Sequence, residues 1–234
     1  MTDARGTERA SGRKERIAVA LPKGRLFPQA LDLFSRIGIA EVMTLADSRR
    51  LTLDDPARGL SLLALKPVDI PTYVEHGAAD LGIVGTDLLR EQGRDVYEPL
   101  DLGFGVCRLV VAEPADLRLT DDPTAWASLR VATKYPRLTE RHFGQKGIQV
   151  EIVSLSGSVE LAPAMGLAER IVDLVDTGRT LSENGLVEVE QILQASARLI
   201  VNRASLKTRY GAIQALIDAL RTQVAARRRE TRCD

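Results

Sequence analysis

Eight consecutive residues, Asp173-Leu174-Val175-Asp176-Thr177-Gly178-Arg179-Thr180, combine acids, hydroxyls and a glycine at the end of an apolar run. Gly178 lets a backbone approach a phosphate closely. Successive N–H groups and the Thr177 and Thr180 hydroxyls can bond phosphate oxygens, and a helix starting near Leu181 adds a favourable dipole. Asp173 and Asp176 precede this turn at a spacing that lets carboxylates accept hydrogen bonds from ribose hydroxyls or help hold a hydrated Mg²⁺. Together they outline a ribose 5-phosphate site. The same residues also fit an ordinary strand-to-helix turn capped by Asp176, and both readings stand at this point.

A second polar cluster, Ser156-Gly157-Ser158-Val159-Glu160, follows another apolar run and suits a ligand, a helix cap, or both. Nearer the N-terminus, Leu21-Pro22-Lys23-Gly24-Arg25 sets two cations beside a glycine directly after a buried strand, where open α/β folds bind ligands. Cations there suit polyphosphate, although a solvated loop has the same composition. Arg49 and Arg50 form either a surface pair or a bidentate clamp on a pyrophosphate.

These turns need elements to hold them. Short β-like runs alternate with stretches of helical period, the pattern of helices packed on largely parallel sheets. Strands are expected at Arg16 to Leu21, Leu60 to Leu65, Leu81 to Val84, Val106 to Ala112, Arg130 to Thr133, Ile148 to Leu155, Ile171 to Val175, Leu186 to Leu193 and Ala197 to Asn202. Helices are expected from Pro28, over Ile70 to His76 and Asp87 to Gln92, around Arg141 to Gln145 and Glu160 to Met165, and over Leu206 to Arg229. The fold class is α/β with two βα lobes: residues 1–107 with 197–234, and residues 108–196. The cleft between the lobes is the expected ligand site. Ala79 to Asp87 and Ala168 to Gly178 echo each other, each reading as helix end, strand and Thr-bearing turn.

Composition narrows the function. The 234 residues carry 32 Lys+Arg against 32 Asp+Glu, with no long basic run before the final turn, which argues against nucleic acid. No stretch approaches the roughly 20 apolar residues of a membrane span, and the first sixteen residues hold no apolar export segment. Cys107 and Cys233 are far apart and share no metal-ligand spacing with His76 and His142. A cytoplasmic, reduced, zinc-free protein is the economical expectation, with both histidines structural or exposed and Cys107 a packing residue.

The residues also carry a family resemblance. Segments at Ala20 to Leu26, Asp47 to Leu51, Val68 to Asp87 (VDIPTYVEHGAADLGIVGTD), Val131 to Pro136, Gly157 to Pro163 and Asp173 to Val189 (DLVDTGRTLSENGLVEV) resemble the short form of the ATP phosphoribosyltransferase family. The resemblance implies two lobes similar to type II periplasmic binding proteins. It implies a reaction in which N1 of ATP attacks C1 of 5-phosphoribosyl 1-pyrophosphate (PRPP) with Mg²⁺ present, the first step of histidine biosynthesis. Position by position, it implies that Asp173 and Asp176 meet the ribose hydroxyls and that Thr177, Gly178, Arg179 and Thr180 cradle the 5-phosphate. Ser158 and Glu160 would lie beside the ribose. Lys23, Arg25 and Arg49 would neutralise polyphosphate and the leaving group, with Thr86 and Asp87 as further ATP contacts. It also implies a homodimer of catalytic chains and a regulatory subunit similar to histidyl-tRNA synthetase in a hetero-oligomer. The rival from another class is a non-catalytic binding module for a phosphorylated ligand.

Overall fold

The computed structural model describes residues 16–47, 50–116 and 129–230. In chain order the first elements are β1 (Ile17–Pro22), α1 (Phe27–Arg36), α2 (Thr44–Asp47), β2 (Thr52–Asp55), β3 (Leu60–Leu65), α3 (Ile70–Glu75), β4 (Leu81–Gly85), α4 (Thr86–Gln92) and β5 (Tyr97–Asp101). Then follow β6 (Cys107–Pro114), β7 (Arg130–Thr133), α5 (Pro136–Gln145), β8 (Glu151–Ser154), β9 (Arg170–Val175), α6 (Arg179–Glu183) and β10 (Leu186–Ala195). The chain closes with β11 (Ala197–Val201), α7 (Arg203–Thr208) and α8 (Tyr210–Glu230). It divides into two units, one drawn from the chain up to Leu89, Gly93–Gly105 and the chain from Ser196, the other from Arg90–Gln92 and Val106–Ala195.

In the first unit a six-stranded sheet runs β2-β3-β1-β4-β11-β5. Strand β1 is parallel to β3 and β4, while β2, β11 and β5 pair antiparallel. Strands β1 and β4 are buried along their whole length, as strands covered on both faces must be. Alternation along β1 assigns its side chains: Ile17, Val19 and Leu21 enter the core covered by α1 and α8, and Ala18 and Ala20 face the core under α3. The small residues let α3 lie close. A Cβ added at Gly82 would stand 2.6 Å from Ile70 Cγ2 and 2.9 Å from Val74 Cγ2.

The second unit is a five-stranded sheet, β10-β6-β9-β7-β8, in which β7, β8 and β9 are parallel and β6 and β10 antiparallel. Its core joins Val110, Ala132, Ile171 and Val175 to Val159, Leu181 and Leu186. Helix α5 is capped from a distance. Pro136 stands at its first turn, and the Glu91 carboxylate accepts the N–H groups of Arg137 and Leu138, both at 2.9 Å.

Four expectations change. Strands β2 and β5 have no apolar run to announce them, being short and largely half-buried or exposed. Ile148 to Leu155 contracts to β8. Glu160 to Met165 forms no α-helix: after Ser158 the chain makes only a 3₁₀ turn over Val159–Leu161, and Pro163 and Gly166 follow. The closing helix is broken at Arg209, whose guanidinium bonds the Arg16 carbonyl (2.9 Å) and the Asp80 carboxylate (3.1 Å). Asn202 caps α7 by accepting the Ser205 N–H at 2.8 Å.

Candidate active site

Because β7, β8 and β9 are parallel, their carboxyl ends lie on one edge of the second sheet, where ligands of such sheets bind. From those ends emerge Lys134, the Ser156-Gly157-Ser158 turn and the stretch Asp176 to Thr180. Glu160 and the whole run Asp173 to Leu181 line an open concavity of about 490 Å³. Asp176, Thr177, Gly178, Arg179, Thr180, Asp173 and Glu160, all anticipated from sequence, therefore share one surface.

Local geometry explains the residue types. Gly178 has φ +83°, a backbone state L side chains rarely adopt, while an added Cβ would meet nothing closer than 4.0 Å. Conformation, not space, demands glycine here. The turn leads into α6, with the Arg179 N–H pointing at Thr177 Oγ1 at 3.5 Å. Ser158 is the one non-glycine among the described residues with positive φ, at +52°. Backbone strain of this kind gathers at ligand sites.

Electrostatics sets the acids apart. Burial pushes the Asp173 carboxyl above the usual carboxylate range; the Leu174 N–H, donating at 2.8 Å, pulls it back, Glu160 pushes it up and Lys134 pulls it down. Asp176 is exposed and acts electrostatically on Arg108, whose guanidinium is held further on by Glu188 at 3.0 Å. Sequence reasoning gave neither Lys134 nor Arg108 a role. Lys134 follows β7 as directly as Lys23 follows β1, which was the signal available.

The first unit presents its own parallel strand ends, those of β1, β3 and β4. The Lys23 N–H donates to the Leu65 carbonyl at 2.8 Å, and Gly24 takes φ +87°. Arg25 is exposed, with Nη2 on the Gly105 carbonyl at 3.3 Å. Lys66, also missed, is exposed at the neighbouring end of β3. Thr86 and Asp87 are buried. The Thr86 hydroxyl donates to the Ser196 carbonyl (2.9 Å) and accepts from Arg198 Nε (3.2 Å). The Asp87 carboxylate folds over Gly85, where an added Cβ would stand 2.1 Å from Oδ1. Arg49 lies outside the described residues.

The histidines and Cys107 stand apart from these clusters. His76 is exposed, His142 bonds Glu190 at 3.0 Å, and Cys107 is buried in β6.

Residues 66–222 match the family model described as ATP phosphoribosyltransferase. The chain is 55% identical over 209 residues to the ATP phosphoribosyltransferase of Syntrophotalea carbinolica, covering 89% of this chain and 95% of that protein. It is 54% identical over 208 residues to ATP phosphoribosyltransferase 2 of Geobacter sulfurreducens, covering 89% and 98%. Among solved structures it is similar to a chain of the ATP phosphoribosyl transferase (HisG:HisZ) complex from Thermotoga maritima, with TM-score 0.78 and 31% identity over 90% of this chain and 99% of that one. The periplasmic aliphatic sulphonate binding protein SsuA from Escherichia coli shares the fold, with TM-score 0.56 and 13% identity over 93% of this chain and 75% of that one. The α/β fold and its likeness to periplasmic binding proteins thus agree with the sequence reading, and the chain belongs to the ATP phosphoribosyltransferase family.

Proposed function

We propose that this chain transfers the 5-phosphoribosyl group of PRPP to N1 of ATP, giving N1-(5-phosphoribosyl)-ATP and pyrophosphate, the first step of histidine biosynthesis. The observation that carries the reading is the concavity formed by Asp173 to Leu181 around the left-handed Gly178. In it the loop N–H groups with Thr177, Arg179 and Thr180 hold the 5-phosphate, and Asp173 and Asp176 accept the ribose hydroxyls. Glu160 and the Ser158 turn border the ribose.

The N1 lone pair of adenine forms the new bond to C1 as the C1–O bond to pyrophosphate breaks, its electron pair leaving with the pyrophosphate. Neutral adenine has no proton at N1, so no side chain has to remove one before attack. The protein's work is to position two polyanions and to neutralise charge growing on the leaving group. Lys23, Arg25 and Arg49 take that part, and Thr86 and Asp87 fix the turn after β4.

Mg²⁺ enters this reading with the substrates. No group of three or more His, Cys, Asp or Glu side chains among the described residues is arranged to hold a metal ion. Mg²⁺ commonly binds through substrate phosphates with one or two carboxylates and keeps several waters, and Asp173 and Asp176 are the carboxylates that would help hold it with the donor. The Thermotoga maritima relative is a HisG:HisZ complex, which supports assembly of this chain with a second, regulatory subunit in a hetero-oligomer. That this subunit is histidyl-tRNA-synthetase-like and that the catalytic chains form a homodimer rest on the family resemblance. Among the described residues no helix is long and apolar enough to cross a membrane.

The test is pyrophosphate release by the purified chain, alone and with the regulatory subunit, given ATP, PRPP and Mg²⁺. Release that needs both substrates and prefers ATP to GTP is expected. PRPP binding without turnover in either preparation would instead assign a binding-only protein.

A further inference from the structure

The concavity presents a charge problem. Its lining includes Glu160, Asp173 and Asp176 against one cation, Arg179. A phosphorylated sugar diphosphate carries several negative charges of its own, and like charges within a few ångströms repel strongly where water is thinned. The phosphate turn alone therefore accounts for one end of the donor and leaves the acid-lined end unfavourable to it.

The strand register supplies a cation at that end. Thr133 of β7 pairs with Val172 of β9 on one side and Ser154 of β8 on the other. Lys134, one residue on, is thereby set beside Asp173 and beside Leu155, which leads into the Ser156-Gly157-Ser158 turn. Two bonds make this register firm: Leu155 N–H to the Thr133 carbonyl at 2.9 Å and the Thr133 hydroxyl to the Val172 carbonyl at 2.8 Å. The side chain of Lys134 is exposed, so its ammonium is available to a ligand.

Resting on the reading above, we infer that Lys134 is a donor-positioning residue: from the end of β7, beside Asp173, its charge offsets the repulsion between the concavity's carboxylates and the donor's phosphates. Two consequences follow. Asp173 stays in the charged form that accepts a ribose hydroxyl at lower pH than its burial alone allows, Lys134 opposing the push from Glu160. The donor, not ATP, feels its loss. The other charged groups around Asp173 are Glu160 from the 3₁₀ turn, Asp176 and Arg179 from the phosphate turn, and Arg108 from β6, which faces Asp176. None of these supplies a second cation on the β7 side.

The experiment compares the wild-type chain with Lys134→Met, Lys134→Arg and Asp173→Asn, and with Lys134→Met in the Asp173→Asn background. PRPP binding is read by calorimetry from pH 5 to 8, and KM for each substrate by pyrophosphate release. Lys134→Met should weaken PRPP about tenfold or more, the scale of one charge-assisted hydrogen bond, and leave the KM for ATP within about twofold. It should move the acid limb of PRPP binding to higher pH, Lys134→Arg should restore most of the affinity, and the methionine effect should shrink in the Asp173→Asn background. Unchanged PRPP affinity in folded Lys134→Met, or equal losses for both substrates, would overturn the inference. Should Lys134→Met not fold, Lys134→Arg carries the test through its pH profile, which must keep the wild-type acid limb. Wild-type protein that binds no PRPP would defeat the functional reading itself, a distinct outcome.

Discussion

Asp173 occupies a position that stability alone would not choose. Its carboxyl is pushed above the usual range chiefly by burial and also by Glu160, so the folded state holds its proton more tightly than the unfolded chain does. Its stabilising contribution is complete below the unfolded pKa and is lost as pH rises through the folded one. At neutral pH ionised Asp173 therefore works against folding. Asp173→Asn keeps an oxygen for the Leu174 N–H, and we expect the variant to melt at or above the wild-type temperature at pH 7 while losing PRPP affinity by at least about tenfold. A clear fall in Tm with donor affinity intact would make Asp173 a structural acid. At this scale much of the site was legible in sequence, because Gly178, Thr177, Thr180 and the two aspartates are types whose chemistry is specific. Lys134 was not, since a lysine after a strand is commonplace. What gives it meaning is the register that sets it beside Asp173, a relation between a residue just past β7 and one in β9.

Among the elements, α8 bears the most on the first core. Ile213, Leu216, Ile217, Leu220 and Val224 are all buried against β1, β4 and β11 residues such as Val19, Ile83 and Leu199. Leu220 has no exposed surface, and Leu220→Ala should cost about 2–5 kcal/mol, seen as a lower urea midpoint at unchanged slope. PRPP affinity below the transition should hold, since the turn over Asp176 to Thr180, proposed to bind its 5-phosphate, belongs to the other sheet. A cost under about 1 kcal/mol would show that the core closes around the gap. Long apolar runs announced β1, β3, β4 and β9, and the helical period announced α8. Strands β2 and β5 escaped because edge strands need neither feature: the backbone pairing of Thr52 with Leu63 and of Arg198 with Asp101 holds them. The echo between Ala79 to Asp87 and Ala168 to Gly178 has a structural counterpart. Asp80 accepts the Ala18 N–H and gives its own N–H to Ala18, both at 2.8 Å. Glu169 does the same with Arg130, at 2.8 and 3.1 Å, so each acid clasps the start of the neighbouring parallel strand.

For the molecule as a whole, acid should be the weak side. Burial pushes Glu169 up, but the Arg130 guanidinium and N–H outweigh it and hold the carboxyl below its usual range. Burial likewise raises Glu190, and Lys146 and His142 outweigh it. Glu75 is lowered chiefly by the Asp95 N–H. Each contributes stability that is present above the unfolded pKa of about 4.3 and lost as pH falls through the lower folded value. Tm should hold between pH 7 and about 5 and drop steeply below about 4.3, with Glu169→Gln showing a shallower drop. A melting temperature that stays level to about pH 3 would show that these carboxylates are not the determinants.

The order of strands also bears on how the protein is made. Among the described residues β5 pairs only with β11, and β11 pairs with β4, so the first sheet lacks two of its strands until Ala197–Val201 has been synthesised. The sheet of β6 to β10 is nearly contiguous in the chain and complete before then. Long-range pairing is slow relative to local pairing, and chains begin to fold while still on the ribosome. The half that begins first is therefore the half that finishes last, and during synthesis it is the N-terminal strands, waiting for β11, that most need shelter from other chains.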